Sequence, residues 1–134
     1  LKPIAGTVAF LQDLKAHNIA LAVATSAPLS NVDFTLQGAG LNSFFSVVVY
    51  GGMVQNGKPD PDIYLTTAQK LGVNPARCVV FEDALLGIES ARRAGMAVVA
   101  ITTSHSAEEL AGLTKLQLTD FEGISFERLT KLLG

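Results

Sequence analysis

The chain has 134 residues, 49% hydrophobic and 16% charged, with 10 Lys plus Arg against 12 Asp plus Glu for a net charge of −2. That length suits one domain able to bury roughly two-thirds of its unfolded surface, and the balance excludes a disordered tail. The longest purely apolar runs, over 19–24 and 96–101, fall far short of the ~20 residues of a membrane span, and no Lys/Arg cluster offers a nucleic-acid surface.

In chain order, Ile4, Val8, Leu11 and Leu14 recur at helical spacing and predict a first helix. The apolar run over 19–24 carries no polar alternation, which suits a strand buried on both faces of a parallel sheet. Residues 30–38 read as a short helix stopped by Gly38 and Gly40. The β-branched run over 46–50 is a second strand with Gly51 and Gly52 at its exit. Asp60 and Asp62 precede an amphipathic helix with Tyr64, Ala68 and Leu71 on one face, closed by Gly72. A third strand over 78–81, a helix over 84–94 ended by Gly95, and a fourth strand over 97–101 follow. Ser106 and Glu109 have capping-box spacing, so a short helix begins there. A last short strand over 115–118 precedes a terminal helix with Phe126, Leu129 and Leu132 or Leu133, capped by Ser125.

This alternation predicts an α/β fold: a Rossmann-like three-layer sandwich around a parallel sheet. Such folds bind ligands outside the carboxyl ends of their strands, and three of those ends are polar. Thr25 and Ser26 follow the first strand; their hydroxyls and backbone amides would donate to an anion, or would cap the helix near Ser30. Lys58, beyond the second strand, is stiffened by Pro59 and Pro61. It is either a solvated loop lysine or a point charge held for phosphate. Glu82 and Asp83 end the third strand. Adjacent carboxylates at the rim of an apolar core need compensation, which a hard cation such as Mg2+ supplies. Asp83 would also serve as a helix N-cap, whereas Glu82 has no such structural account. Hydroxyl, ammonium and carboxylates are parts of a phosphoryl-transfer site, yet no residue stands out as the nucleophile. Asp60 and Asp62 read as capping, Asp120 as a loop residue, and His17 and His105 as surface histidines. Cys78 reads as a small buried hydrophobe at a strand start. As the single cysteine it excludes an internal disulfide and fits a reducing, cytoplasmic setting.

The segments Val23-Ala24-Thr25-Ser26, Gly57-Lys58-Pro59-Asp60-Pro61-Asp62-Ile63-Tyr64, and Val80-Phe81-Glu82-Asp83-Ala84-Leu85-Leu86-Gly87-Ile88 with Ala94-Gly95 resemble, in order and spacing, the haloacid dehalogenase superfamily. The subgroup resembled is the β-phosphoglucomutase-like phosphatases, and the similarity runs from about Pro3 to the end. The resemblance implies a Mg2+-dependent phosphatase of a small phosphorylated metabolite. In that chemistry a catalytic Asp forms an aspartyl-phosphate that water then hydrolyses. Thr25 matches the hydroxyl that binds the transferring phosphoryl group, with Ser26 beside it. Lys58 matches the lysine that neutralises nucleophile and phosphate, and Asp83 with Glu82 the acidic motif that seats Mg2+.

The departure lies upstream. The family's first motif, a strand ending in Asp-x-Asp, belongs at the sheet's centre between the strands over 78–81 and 19–24. A helical cap domain follows it in the family, and this sequence has neither. The expectation is therefore that residues 1–134, opening on Leu1 rather than Met, form the C-terminal part of a hydrolase core. A further N-terminal segment would complete it, and the piece alone would be inactive. A smaller departure is Ala27-Pro28-Leu29, where mutase members carry polar residues, so phosphatase ranks before phosphosugar mutase. A noncatalytic α/β interaction module is the reading from another class. A metal-free dehalogenase is disfavoured by the metal-seating spelling of Glu82 and Asp83.

Overall fold

The structure, a computed structural model, describes residues 4–26, 40–102, 107–110 and 112–134. In chain order the elements are α1 (Thr7–Ala16), β1 (Ala22–Ala24), β2 (Val47–Val49), α2 (Asp62–Leu71), β3 (Val79–Glu82), α3 (Leu85–Arg93), β4 (Ala97–Ile101), α4 (Ala107–Leu110), β5 (Leu116–Leu118) and α5 (Phe126–Leu133). Single 3-10 turns at Asn42–Phe44, Gly51–Met53 and Pro75–Arg77 connect them. Every strand pair is parallel, but the strands form two sheets: β1 with β2, and β3-β4-β5 in that order. Among the described residues, no strand joins β1 to β3.

Helical layers cover both faces. On one, Ile63, Tyr64 and Ala68 of α2 and Ile88 and Ala91 of α3 pack with Val49 of β2, Val80 of β3, and Val98 and Ala100 of β4. This single cluster touches both sheets. On the opposite face, Phe10 and Leu14 of α1 and Leu129 of α5 pack on Val99, with Phe81 and Phe121 against them. Val98, Val99 and Ala100 thus point alternately into the two layers, as the twofold period of a strand requires. Ile63, Ile88 and Leu110 are almost wholly buried, each contributing about 1.5–3 kcal/mol relative to exposure. Phe10 stacks on Phe121 at 5.4 Å and meets Phe81 edge-on at 5.5 Å.

Local chemistry sets several boundaries. Gly72, at φ 71°, closes α2 while the Val73 amide donates back to the Ala68 carbonyl. The Ser125 hydroxyl accepts from the Arg128 amide at the start of α5. Gly6, at φ 82°, precedes α1 where a Cβ would lie 2.4 Å from the Phe121 backbone, so only glycine fits.

Four expectations change in detail. On α1 the buried residues are Phe10, Leu11 and Leu14, whereas Ile4 and Val8 are exposed. The Phe10–Phe81–Phe121 cluster turns the helix toward its aromatic residue. The first strand is only Ala22–Ala24 and is half-buried, because β1 has one paired edge among the described strands. Cys78 is half-buried and closes the 3-10 turn, with β3 starting one residue later. Ala84, not Asp83, is the N-cap of α3. The helix expected over 30–38, the triplet Ala27-Pro28-Leu29, His105 and Ser106 lie outside the described residues. Of the capping box, only the helix itself, α4, is described. Among the described residues, no helix is long and apolar enough to cross a membrane.

Candidate functional site

Lys58 is carried by the loop between β2 and α2, and that loop is tied down at several points. The Asp60 amide donates to the Gly57 carbonyl, and the Asp60 carboxylate accepts from the Asp62 amide at 2.9 Å. The Lys58–Pro59 bond within it is cis. Ser90, fully buried on α3, donates its hydroxyl to the Asp60 carbonyl. The capping expected of Asp60 is therefore an Asx turn one residue ahead of the helix.

The Lys58 ammonium meets Glu82 Oε2 at 3.0 Å, the two side chains being 15% and 12% exposed. The Tyr64 hydroxyl donates to the same oxygen at 2.7 Å, and the ammonium sits 5.3 Å from the Tyr64 ring centre. Glu82 Oε1 accepts from the amides of Asp83 and Ala84, each at 3.2 Å. Gly87 makes room for this carboxylate: a Cβ there would fall 2.2 Å from Oε2. Burial pushes the Glu82 carboxyl up, but the Lys58 charge and the Tyr64 hydrogen bond outweigh it and hold the group below its usual value. Burial, then the Glu82 charge, pushes the Tyr64 phenol far above its own usual value. It is therefore a donor throughout the ordinary pH range.

The structure thus brings Lys58 and Glu82 into contact and adds two residues that sequence reasoning did not single out. Periodicity gives Tyr64 a core position and the quoted segment gives it no role, although a tyrosine where phenylalanine would fill the core signals a hydrogen-bonding need. Gly87 lay inside the quoted motif without a role, and its burial against Glu82 is a tertiary fact. Asp83 follows at the carboxyl end of β3, half-buried, with its charge felt at Tyr64. Thr25 and Ser26 stand at the end of β1, in the other sheet. The Thr25 amide, expected to serve an anion, is already given to the Val49 carbonyl at 2.9 Å. Gly51 lets the exit of β2 pass close by, since a Cβ there would lie 2.6 Å from the Ser26 carbonyl oxygen.

Glu82 therefore has a structural account after all: two side-chain donors and two amides satisfy it. Carboxylates are the donors that Mg2+ takes; of the expected pair, Glu82 is engaged by the four donors above, and Asp83 follows it at the carboxyl end of β3. Among the described residues, no three His, Cys, Asp or Glu side chains converge into a whole metal site.

Comparison with known proteins identifies the family. Residues 1–101 match the family model described as haloacid dehalogenase-like hydrolase. The chain is 43% identical over 96 residues to a phosphorylated carbohydrates phosphatase of Thermotoga maritima, covering 72% of this chain and 44% of that protein. A solved haloacid dehalogenase hydrolase of family IA, variant 3, from Entamoeba histolytica superposes with a TM-score of 0.89 at 33% identity. The match covers 97% of this chain and 60% of that one. β-Phosphoglucomutase from Clostridium difficile superposes at 0.84 with 28% identity, covering 97% and 56%. The chain spans about half the length of the curated relatives it matches.

Proposed function

The chain belongs to the haloacid dehalogenase-like hydrolases, and from that premise we propose that the whole protein is a phosphatase of a small phosphorylated metabolite, with a sugar phosphate the favoured class. The observation that carries the reading is the Lys58 ammonium, fixed 3.0 Å from Glu82 beside Asp83 at the carboxyl end of a parallel strand. A positive charge held in place before the substrate arrives has no reorganisation left to undergo when a phosphoryl group passes. The relatedness to a phosphatase of phosphorylated carbohydrates supports the substrate class.

In the proposed reaction an Asp carboxylate oxygen bonds to the substrate phosphorus as the ester P–O bond breaks, and the leaving oxygen takes a proton from the second Asp of the same Asp-x-Asp motif, acting as general acid. Water then cleaves the aspartyl-phosphate, releasing inorganic phosphate and restoring the carboxylate. Neither Asp is supplied by this chain; the reading places both on an Asp-x-Asp strand between β1 and β3. Lys58 binds the phosphate oxygens and lowers their repulsion with the nucleophile. The Thr25 hydroxyl, with Ser26 beside it, donates to the transferring group. Asp83, with Glu82 behind it, would hold one side of Mg2+, which when bound screens the phosphate charge. A reducing, cytoplasmic setting suits the single cysteine.

The test is hydrolysis of p-nitrophenyl phosphate by the full-length protein, with Mg2+ or with chelator, alongside Lys58→Ala and Asp83→Asn. Each variant is expected to lose about a hundred- to a thousandfold in kcat/KM, the scale of removing one preorganised charge. Unchanged turnover in both would overturn the site, and turnover indifferent to chelator would overturn the metal. The likeness to β-phosphoglucomutase supports a phosphosugar mutase as second reading, recognised by phosphosugar isomerisation without release of inorganic phosphate. No turnover with any phosphate ester would leave a noncatalytic module.

A further inference from the structure

We propose that Tyr64 is a positioning residue for the Lys58 ammonium, acting through the one Glu82 oxygen that both donate to. The inference rests on the reading of Lys58 as the phosphate-binding charge. Tyr64 is 5% exposed on the first turn of α2, with its ring in the core cluster among Ile63, Ala68, Val80 and Ile88. Phenylalanine would fill that space equally, and a buried hydroxyl is costly unless it is bonded. The bond it makes is the 2.7 Å donation to Glu82 Oε2, the oxygen that also takes the Lys58 ammonium at 3.0 Å.

Three elements converge on that oxygen. The phenol reaches it from α2, the ammonium from the proline loop, and the Cα face of Gly87 closes over it from α3. The carboxylate's other oxygen is held by the amides of Asp83 and Ala84, so Glu82 cannot swing away without breaking two further bonds. The phenol shares the negative charge of Oε2 with the ammonium. Remove the hydroxyl, and Lys58 is the sole side-chain donor on that oxygen among the described residues. The ammonium is then drawn onto Glu82, and an incoming phosphate must compete harder for it.

Inorganic phosphate, as a competitive inhibitor of p-nitrophenyl phosphate hydrolysis by the full-length protein, reads this directly. Its Ki is independent of the fraction of enzyme that is folded, so a merely destabilised variant does not move it. Tyr64→Phe is expected to raise Ki about tenfold, the equivalent of one hydrogen bond to a charged group. In a Glu82→Ala background the same substitution is expected to change Ki less than about twofold, because the shared oxygen is gone. If Glu82→Ala turns over too slowly to read, or Tyr64→Phe fails to fold, Gly87→Ala replaces it. Its Cβ displaces that oxygen from the ammonium and the phenol together, so Lys58 loses the position they share, and Ki is expected to rise through that loss of position rather than through competition with Glu82. An unchanged Ki in the readable Tyr64→Phe or Gly87→Ala variant, or equal effects of Tyr64→Phe with and without Glu82, overturns the inference. Lys58→Ala separates the levels: if it raises Ki while Tyr64→Phe does not, the site reading stands and only the positioning role falls. If Lys58→Ala leaves Ki unchanged, both fall.

Discussion

Replacing Glu82 by Gln removes one charge from a pair whose side chains are 15% and 12% exposed and 3.0 Å apart. At an effective dielectric near 20, that separation corresponds to about 5 kcal/mol of gross attraction, much of it offset by the desolvation of both ions. The substitution does not return that desolvation. It leaves the Lys58 ammonium in the same pocket without the carboxylate charge it touches, a loss that runs to about 3–5 kcal/mol for buried pairs. Gln keeps an acceptor for the Tyr64 hydroxyl or for the Asp83 and Ala84 amides, so the expected loss is the lower end, about 3 kcal/mol. Urea unfolding at pH 7 measures it as a lower midpoint with an unchanged slope. Adding Lys58→Met to Glu82→Gln removes the stranded charge and should recover most of the loss. A Glu82→Gln loss below about 1 kcal/mol, the worth of an exposed pair, would refute the claim that this pair is shielded from water.

The same pair sets an acid dependence. Burial raises the Glu82 carboxyl, yet Lys58 and Tyr64 bring it below its ordinary 4.5. Its stabilisation is therefore present above the unfolded value and lost as pH falls through the lower folded one. The unfolding free energy of the parent should decline more steeply below about pH 4.5 than that of Glu82→Gln; parallel curves would remove Glu82 from the acid limb. Ser90→Ala should cost about 1–3 kcal/mol in the same urea assay, because the Asp60 carbonyl loses a donor that water cannot easily replace. A loss within a few tenths would mean that the loop does not depend on that bond.

Much of the architecture was legible because the local signals agreed with one another. Gly72, Gly95 and Ser125 end or begin helices where their chemistry requires, and the unbroken apolar runs over 78–81 and 97–101 predict parallel strands, as β3 and β4 are. The errors came where tertiary contacts outrank periodicity. Val8 fits the apolar stripe of α1 as well as Phe10 does, but Phe81 and Phe121 select the aromatic residue. At the site, the sequence located the charges but not their bookkeeping. Glu82 has no local structural partner in the sequence because its partners, Lys58 and Tyr64, lie 24 and 18 residues away. No spacing rule links a phenol on one helix face to a carboxylate at another strand's end.

Those long-range partners also show what holds this half of the site together. None of the side-chain contacts that fix Lys58 and Glu82 depends on pairing between β1 and β3. Ser90 and Gly87 belong to α3, Tyr64 belongs to α2, and both helices pack in the cluster that touches both sheets. The helical layer is thus at once the core's main apolar surface and the frame of the charged site. Core and site are coupled through it: a shift of α2 against α3 moves Tyr64 relative to Gly87, and Glu82 Oε2 lies between them. A cavity made beneath either helix would therefore reach the Lys58 ammonium through one oxygen, whereas a change at the outer edge strand β5 has no such route.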